Sequence, residues 1–341
     1  MRKIYVFAVL LLILFGCKTR HNANANRAFY YWKSEFALEA GDRSCLKELG
    51  VGKLYLHFFD VGWNNETNRV IPEAKVVFKD KFPGTLQCVP VIFIANKALE
   101  KTPADSISGL SQRIMNGVKF IATENAINYK ELQVDCDWTE FTREKYFNLV
   151  SQLHSVLNSS GIILSATIRL HQIKYAGKTG IPPVDRGMLM FYNMGKINGQ
   201  PGYNSIYNKA DADRYTNYIR EYKLPLDVAL PIFSWALHLS NGPVEIIEKV
   251  NTIDDSAQFT ACGNNIFVSH NSFFWHGSYL LKGDTVKIES VSPLLCLDAA
   301  NDLIPNLKDE NRTVTLFAYD SSYIKDNEKK DLEKIYSVFG N

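Results

Sequence analysis

The densest chemistry in the chain lies in Leu132-Gln133-Val134-Asp135-Cys136-Asp137-Trp138-Thr139-Glu140. Read as a strand, the segment alternates faces with period two, so Gln133, Asp135, Asp137 and Thr139 share one side and Val134, Cys136 and Trp138 the other. The apolar side suits covering helices. The polar side sends two carboxylates, about 6 to 7 Å apart along the strand, toward whatever lies opposite. Repulsion at that spacing raises one carboxyl pKa, the condition general acid–base work requires. Glu140 reaches the same side only if the strand has already ended. A second polar face follows in Ser165, Thr167, Arg169 and His171, with Leu164, Ala166, Ile168 and Leu170 on the opposite parity. Arg169 is a natural partner for either acid, so the bland reading is charge neutralisation. Two adjacent polar inner faces nevertheless exceed what a packed interior needs.

Positioning these groups takes a strand-rich scaffold. Eight strand candidates run over residues 28–34, 53–60, 88–95, 131–137, 163–170, 187–193, 226–234 and 313–319. Helical patterning fills several gaps, at 106–121, 142–157 with Thr142 as cap, 210–222 and 329–339. The expected fold is α/β, a (β/α)8 TIM barrel, with a doubly wound sheet as the alternative. The stretch between the seventh and eighth strands is too long for one crossover. It reads as a short helix over 242–251, strands around a turn at Gly283-Asp284 within 265–289, and a crossover helix over 292–307 with Ser292 as cap and Pro293 at its first position. A small β-rich insert at about 240–290 therefore follows strand seven.

In such barrels the residues at the C-terminal strand ends form the site. Asp60 after the second strand, Asp137 after the fourth and Asp320 after the eighth are rim acids, any two of which could act as an acid–base pair. Strand seven ends Pro231-Ile232-Phe233-Ser234-Trp235 with no carboxylate, which disfavours a nucleophilic Glu there. Tyr30, Trp32, Trp63, Tyr192, Trp235 and Phe273-Phe274-Trp275 supply rings on which pyranose faces stack, while Asp, Asn and Arg side chains bind hydroxyls. Trp235 is the leading candidate for the pocket floor. The expected catalytic acids are Asp135, Asp137 and Glu140, with Trp32, Asp60, Arg169, Trp235 and Asp320 binding substrate; the resemblance of Met190-Phe191-Tyr192-Asn193 to the strand-six motif of chitinase-like glycoside hydrolases of family 18 implies a catalytic Tyr192 and a substrate-binding Asn193. Asp137 should line the pocket, with Asp135 deeper and paired either with a neighbour such as Arg169 or with a protonated Asp137. His57, His171, His238, His270 and His276 form no metal signature, and no G-x-G-x-x-G, P-loop or G-x-S-x-G occurs, so neither metal nor cofactor is expected.

Composition sets the wider class. The chain has 341 residues, 46% hydrophobic and 22% charged, which excludes a disordered tail or a small disulfide-stapled module. Its formal charge of +2 gives no support to nucleic-acid binding. Met1-Arg2-Lys3 followed by the apolar Ile4 to Phe15 reads as a signal peptide over 1–16, too short for a membrane span. Five cysteines follow Cys17, at 45, 88, 136, 262 and 296, without a C-x-x-C. They read as small buried hydrophobes, with Cys262–Cys296 as the disulfide an exported chain could form.

Leu14-Phe15-Gly16-Cys17 resembles a bacterial lipobox. That resemblance implies lipidation of Cys17 and a membrane-anchored lipoprotein at the cell envelope; the polar, Asn-rich stretch that follows reads as part of a tether over 17–27, ahead of the barrel domain over 28–341. Asp135-x-Asp137-Trp138-Thr139 resembles the strand-four motif of chitinase-like glycoside hydrolases of family 18, and Met190-Phe191-Tyr192-Asn193 resembles that family's strand-six motif. As a whole, the chain from about residue 28 resembles an uncharacterised family of bacterial exported proteins with a glycosidase-like barrel, through VDCDWT, LSATIRLHQ and LMFYNMG. The departure is Thr139, which stands where family 18 carries the Glu that protonates the glycosidic oxygen. A threonine hydroxyl is no general acid near neutral pH. The resemblance implies a glycoside-hydrolase-like protein acting on a glycan. The alternative is a glycan-binding protein on a degenerate barrel, with a purely structural envelope role third.

Overall fold

A computed structural model describes residues 25–240, 242–308, 311–321, 324 and 328–340 of the chain. The expected signal peptide, Cys17 and most of the expected tether lie outside the described residues. Eight parallel strands form the central sheet: β1 (Asn26–Tyr31), β2 (Lys53–Asn64), β3 (Gln87–Ile94), β4 (Glu131–Cys136), β5 (Ile163–Arg169), β6 (Arg186–Met190), β7 (Leu226–Pro231) and β8 (Thr313–Phe317). Each pairs with its sequence neighbour, and β1 pairs with both β2 and β8, so the sheet closes on itself. This is the (β/α)8 barrel; the doubly wound alternative is excluded by the β1–β8 pairing.

Helices cover the outside: α1 (Ala40–Glu48), α2 (Ile107–Glu124), α3 (Arg143–Asn158), α4 (Lys209–Ile219), α5 (Pro293–Leu303) and α6 (Lys329–Val338). In α2 the stripe Ile107, Leu110, Ile114, Val118 and Ile121 is buried, as its three- and four-residue spacing dictates. Ser292 caps α5 through Leu295 N–H, with Pro293 in the first turn. Thr142 stands at the N-cap of α3 as expected, but its side chain makes no capping hydrogen bond. Its hydroxyl accepts Thr139 N–H and donates to Asn96 Oδ1 at 2.6 Å, tying the β4 loop to the short helix Asn96–Lys101 after β3.

Two crossovers depart from the eightfold pattern. The end of β2 folds back on Arg69–Glu73 as an antiparallel hairpin, with no helix before β3. After β5 come only two short helices, Leu170–Lys174 and Ala176–Thr179.

The insert begins earlier than its sequence suggests. β7 stops at Pro231, and a new strand, Ser234–Leu239, joins a five-stranded antiparallel sheet with Thr285–Ser290 at its centre. Residues 242–251 contain no helix. The β-branched run Val244-Glu245-Ile246-Ile247 instead supplies the strand Glu245–Glu248, which pairs with Ser234–Leu239 and buries Ile247 opposite Ala236. Short apolar runs of this kind fit either helix or strand, and the edge of a neighbouring sheet decides. The insert has its own small core of Ala236, Ile247, Val250, Phe259, Leu280, Val286 and Ile288. Cys45, Cys88, Cys136 and Cys296 are buried, while Cys262 is exposed, and both Cys262 and Cys296 are free thiols, so no Cys262–Cys296 bridge forms.

Candidate functional site

β4 alternates as its sequence requires. Glu131, Gln133 and Asp135 point into the barrel, while Leu132, Val134 and Cys136 pack outward. Trp138 continues the outward side, stacked on Tyr146 of α3 with centroids 4.7 Å apart and its indole N–H donating to Thr179 O. The inward groups form a polar column along the barrel axis. At its base Glu131 accepts from Lys53 at 2.9 Å, Ser165 at 2.7 Å and Tyr55 at 3.2 Å. One step up, Gln133 accepts from the Tyr30 hydroxyl and donates to Ser165. Above it Asp135 accepts from Thr167 Oγ1 at 2.5 Å and from Arg169 at 3.3 Å. Burial pushes the Asp135 carboxyl above the usual carboxylate range, against the opposing pull of Arg169 and Thr167. Burial also works against the Arg169 charge, but Asp135 and Asp137 outweigh it and keep the guanidinium protonated. Asp137 binds Arg169 Nε at 2.5 Å while its side chain remains 53% exposed. One guanidinium thus joins a buried acid to a rim acid.

Asp135 and Arg169 open into a cavity of about 360 Å³ at the C-terminal mouth of the barrel. Trp32, Phe93, Tyr192, Phe233, Trp235, Phe317 and Tyr319 supply its rings. Asp60, Asp320 and Glu248 add carboxylates, and Lys33 and Lys249 add cations. Asn193 enters in the left-handed region at φ 51°, which asparagine tolerates better than most residues, and so turns the chain inward at the end of β6. Burial raises the Tyr192 hydroxyl far above its ordinary range, so it stays a protonated donor. Lys33 and Asp320 face each other at 3.5 Å.

Trp235 is set by charge buried in the insert. Its indole N–H donates to Glu289 Oε2 at 3.0 Å, and that oxygen also accepts from Ser205 N–H and the Ser205 hydroxyl. Glu289 Oε1 binds Lys287 at 2.7 Å, with both side chains 2% exposed or less. A buried pair of this kind is tolerated where its remaining oxygens and protons have partners. Lys287 meets this by donating to Tyr203 O at 2.6 Å.

Of the residues singled out from sequence, Trp32, Asp60, Asp135, Arg169, Tyr192, Asn193, Trp235 and Asp320 meet around this cavity. Asp137 sits beside it on the rim, joined through Arg169, rather than in the wall. The depths of Asp135 and Asp137 run in the expected order, but Asp135 is the one that lines the void. Glu140 is exposed in the turn before α3, outside the wall, and Thr139 next to it is exposed as well. Trp63 and Phe273 to Trp275 do not line the cavity.

Sequence reasoning missed His57. In a regular strand, residues three apart face opposite sides, so His57 and Asp60 read as unrelated. A bulge between His57 and Phe59 in the pairing with β3 reverses that parity and brings both inward. Phe59 is turned outward onto Gly117 of α2, where a Cβ would approach its ring to 3.1 Å. His57 Nε2 lies 2.6 Å from Asp60 Oδ1, and the imidazole packs against Trp32 with centroids 4.6 Å apart. Glu248, Lys249, Phe233, Phe317 and Glu289 were also missed. Their signal is non-local, since only the folded insert and the strand seven and eight ends bring them together. Among the described residues, no group of three His, Cys, Asp or Glu side chains is arranged to hold a metal ion, and no helix is long and apolar enough to cross a membrane.

No family model matches the chain, and no curated protein shows significant similarity to it. Solved structures do share its fold. A chitinase from Chromobacterium violaceum superposes with a TM-score of 0.54 at 12% identity, over 91% of this chain and 98% of that one. The spore cortex-lytic enzyme SleL of Bacillus cereus gives 0.52 at 13% identity, over 91% and 74%. A Group IV chitinase of Ostrinia furnacalis, solved with allosamidin, gives 0.51 at 12% identity, over 92% and 98%. At these identities the likeness is one of architecture alone, the TIM barrel.

Proposed function

We propose that this chain is a glycoside-hydrolase-like protein that takes a glycan into the mouth of its barrel. One observation carries the reading: a cavity of about 360 Å³ with aromatic walls and a floor of buried carboxylate and guanidinium. That volume falls in the range of small-molecule sites. Trp32, Trp235 and Phe317 offer apolar faces to the C–H side of a pyranose, and Asp135, Arg169, Asn193 and Tyr192 offer hydroxyl partners. The fold it shares with chitinases and a spore cortex-lytic enzyme makes N-acetylglucosamine-containing glycans the first class to test. Incubation with such oligosaccharides and with chromogenic glycosides should give binding and product. Absence of both across the panel would sink the reading.

A second reading, a glycan-binding protein without turnover, is favoured by Thr139. The residue at the proton donor's position is exposed, its hydroxyl lies 3.4 Å from that of Thr142, and neither group is an acid. Binding without product after long incubation selects it. The envelope location rests on Leu14-Phe15-Gly16-Cys17. Incorporation of a labelled fatty acid, lost in Cys17→Ser, is the expected result. An unlabelled wild-type chain would remove the anchor from the account.

A further inference from the structure

The proposed hydrolase lacks a proton donor at Thr139, and the mouth holds one two strands away. We propose that Asp60, backed by His57, is the general acid and base of this site. The inference rests on the glycan reading above and names a further catalytic residue within it.

Four observations converge. His57 is nearly buried, its side chain 6% exposed, whereas Asp60 is 29% exposed and lines the cavity. The 2.6 Å contact between them lets one proton be held between imidazole and carboxylate, so the pair delivers it through the group that faces the void. The β2 bulge is what makes the two co-facial; without it, one would point into the helical layer. In register, Asp60 and Asp135 both align with Phe93 of β3 and so stand two strands apart, with Cα atoms about 10 Å from each other. A sugar seated over Phe93 would have Asp60 on one side and Asp135 on the other.

The step balances with water as the only co-reactant. The C1–O glycosidic bond breaks with its electron pair going to oxygen, which takes the proton from Asp60 and leaves as an alcohol. The Asp135 carboxylate stabilises the positive charge that develops at C1. A water oxygen then bonds to C1 and gives a proton to the Asp60 carboxylate, restoring the protonated pair with His57.

The test compares Asp60→Asn, His57→Gln and wild type on an N-acetylglucosamine oligosaccharide and on the corresponding 2,4-dinitrophenyl glycoside. Its leaving group needs no proton. Asp60→Asn should lose about 1000-fold in kcat on the oligosaccharide, under about 10-fold on the activated glycoside, and keep its oligosaccharide affinity. His57→Gln should displace one limb of the kcat/KM pH profile, where a structural role would lower the profile without moving it. Asp60→Glu, which keeps a carboxyl, supplies the comparison if Asp60→Asn does not fold, and should retain part of the oligosaccharide turnover. Equal losses on both substrates, or undiminished turnover in Asp60→Asn, would overturn the assignment. Wild-type binding without turnover would overturn it too while leaving a glycan-binding cavity in place. Neither binding nor turnover would overturn the glycan reading itself.

Discussion

The two ends of β4 hold the same kinds of residue in opposite states. At the base, Glu131 accepts from three donors and is sealed between Lys53, Tyr55 and Ser165. Near the mouth, Asp135 has Thr167 and Arg169 as partners, borders an open cavity, and is pushed upward in pKa by burial. The difference teaches how one strand divides structural and chemical work. A carboxylate with its partners complete fixes the barrel interior, and one that borders a void keeps capacity for a ligand. Position along the strand, rather than residue type, separates the roles.

The largest effect expected from breaking this contrast is at the base. Glu131→Ala leaves the part-buried Lys53 without its carboxylate and should cost roughly 3 kcal/mol, read as a fall in thermal midpoint. Glycan affinity of the protein that still folds should be unchanged. A comparable loss of affinity would mean that the two ends are not separable.

Trp235→Ala should come next, this time in binding. Removal of a largely buried ring at the cavity wall should weaken glycan affinity by roughly 2 kcal/mol, measured by calorimetric titration. Glu289→Gln should move affinity in the same direction by less, because the indole loses its charged acceptor but not its ring.

A pH series sharpens the contrast further. The folded pKa of Asp135 is raised, so the native state binds the proton more tightly than the unfolded chain does. This contribution is present at low pH and is lost as pH rises from the unfolded carboxylate range through the folded pKa. An asparagine side chain at this position has no proton to lose. Asp135→Asn should therefore gain stability relative to wild type as pH rises across that window. A flat difference in denaturant unfolding would show that Asp135 is an ordinary carboxylate. The smallest effect belongs to Asp137→Ala, an exposed partner of Arg169, which should change stability by less than about 1 kcal/mol.

Much of this was legible in the sequence, for physical reasons. Alternation in β4 and β5 placed Asp135, Thr167 and Arg169 inward, because side-chain parity is a local property of a strand. The buried stripe of α2 was legible for the same reason, through a different period. The strand Glu245–Glu248 was not, because its short apolar run is stabilised by an edge that only the folded insert supplies. The pairing of His57 with Asp60 depends on a bulge set by register with β3, which no reading of β2 alone contains. Trp235 was legible as an aromatic after strand seven. The buried Glu289 that orients it lies 54 residues away and was not.

The central claim is that the mouth cavity, between Trp235 and Asp135, receives the sugar. A crystal structure of the chain grown with an N-acetylglucosamine pentasaccharide tests it most directly. The account predicts a pyranose ring stacked on the cavity aromatics, with a hydroxyl or amide within hydrogen-bond distance of Asp135. A saccharide bound only on the outer surface, with the cavity holding solvent alone, would contradict it.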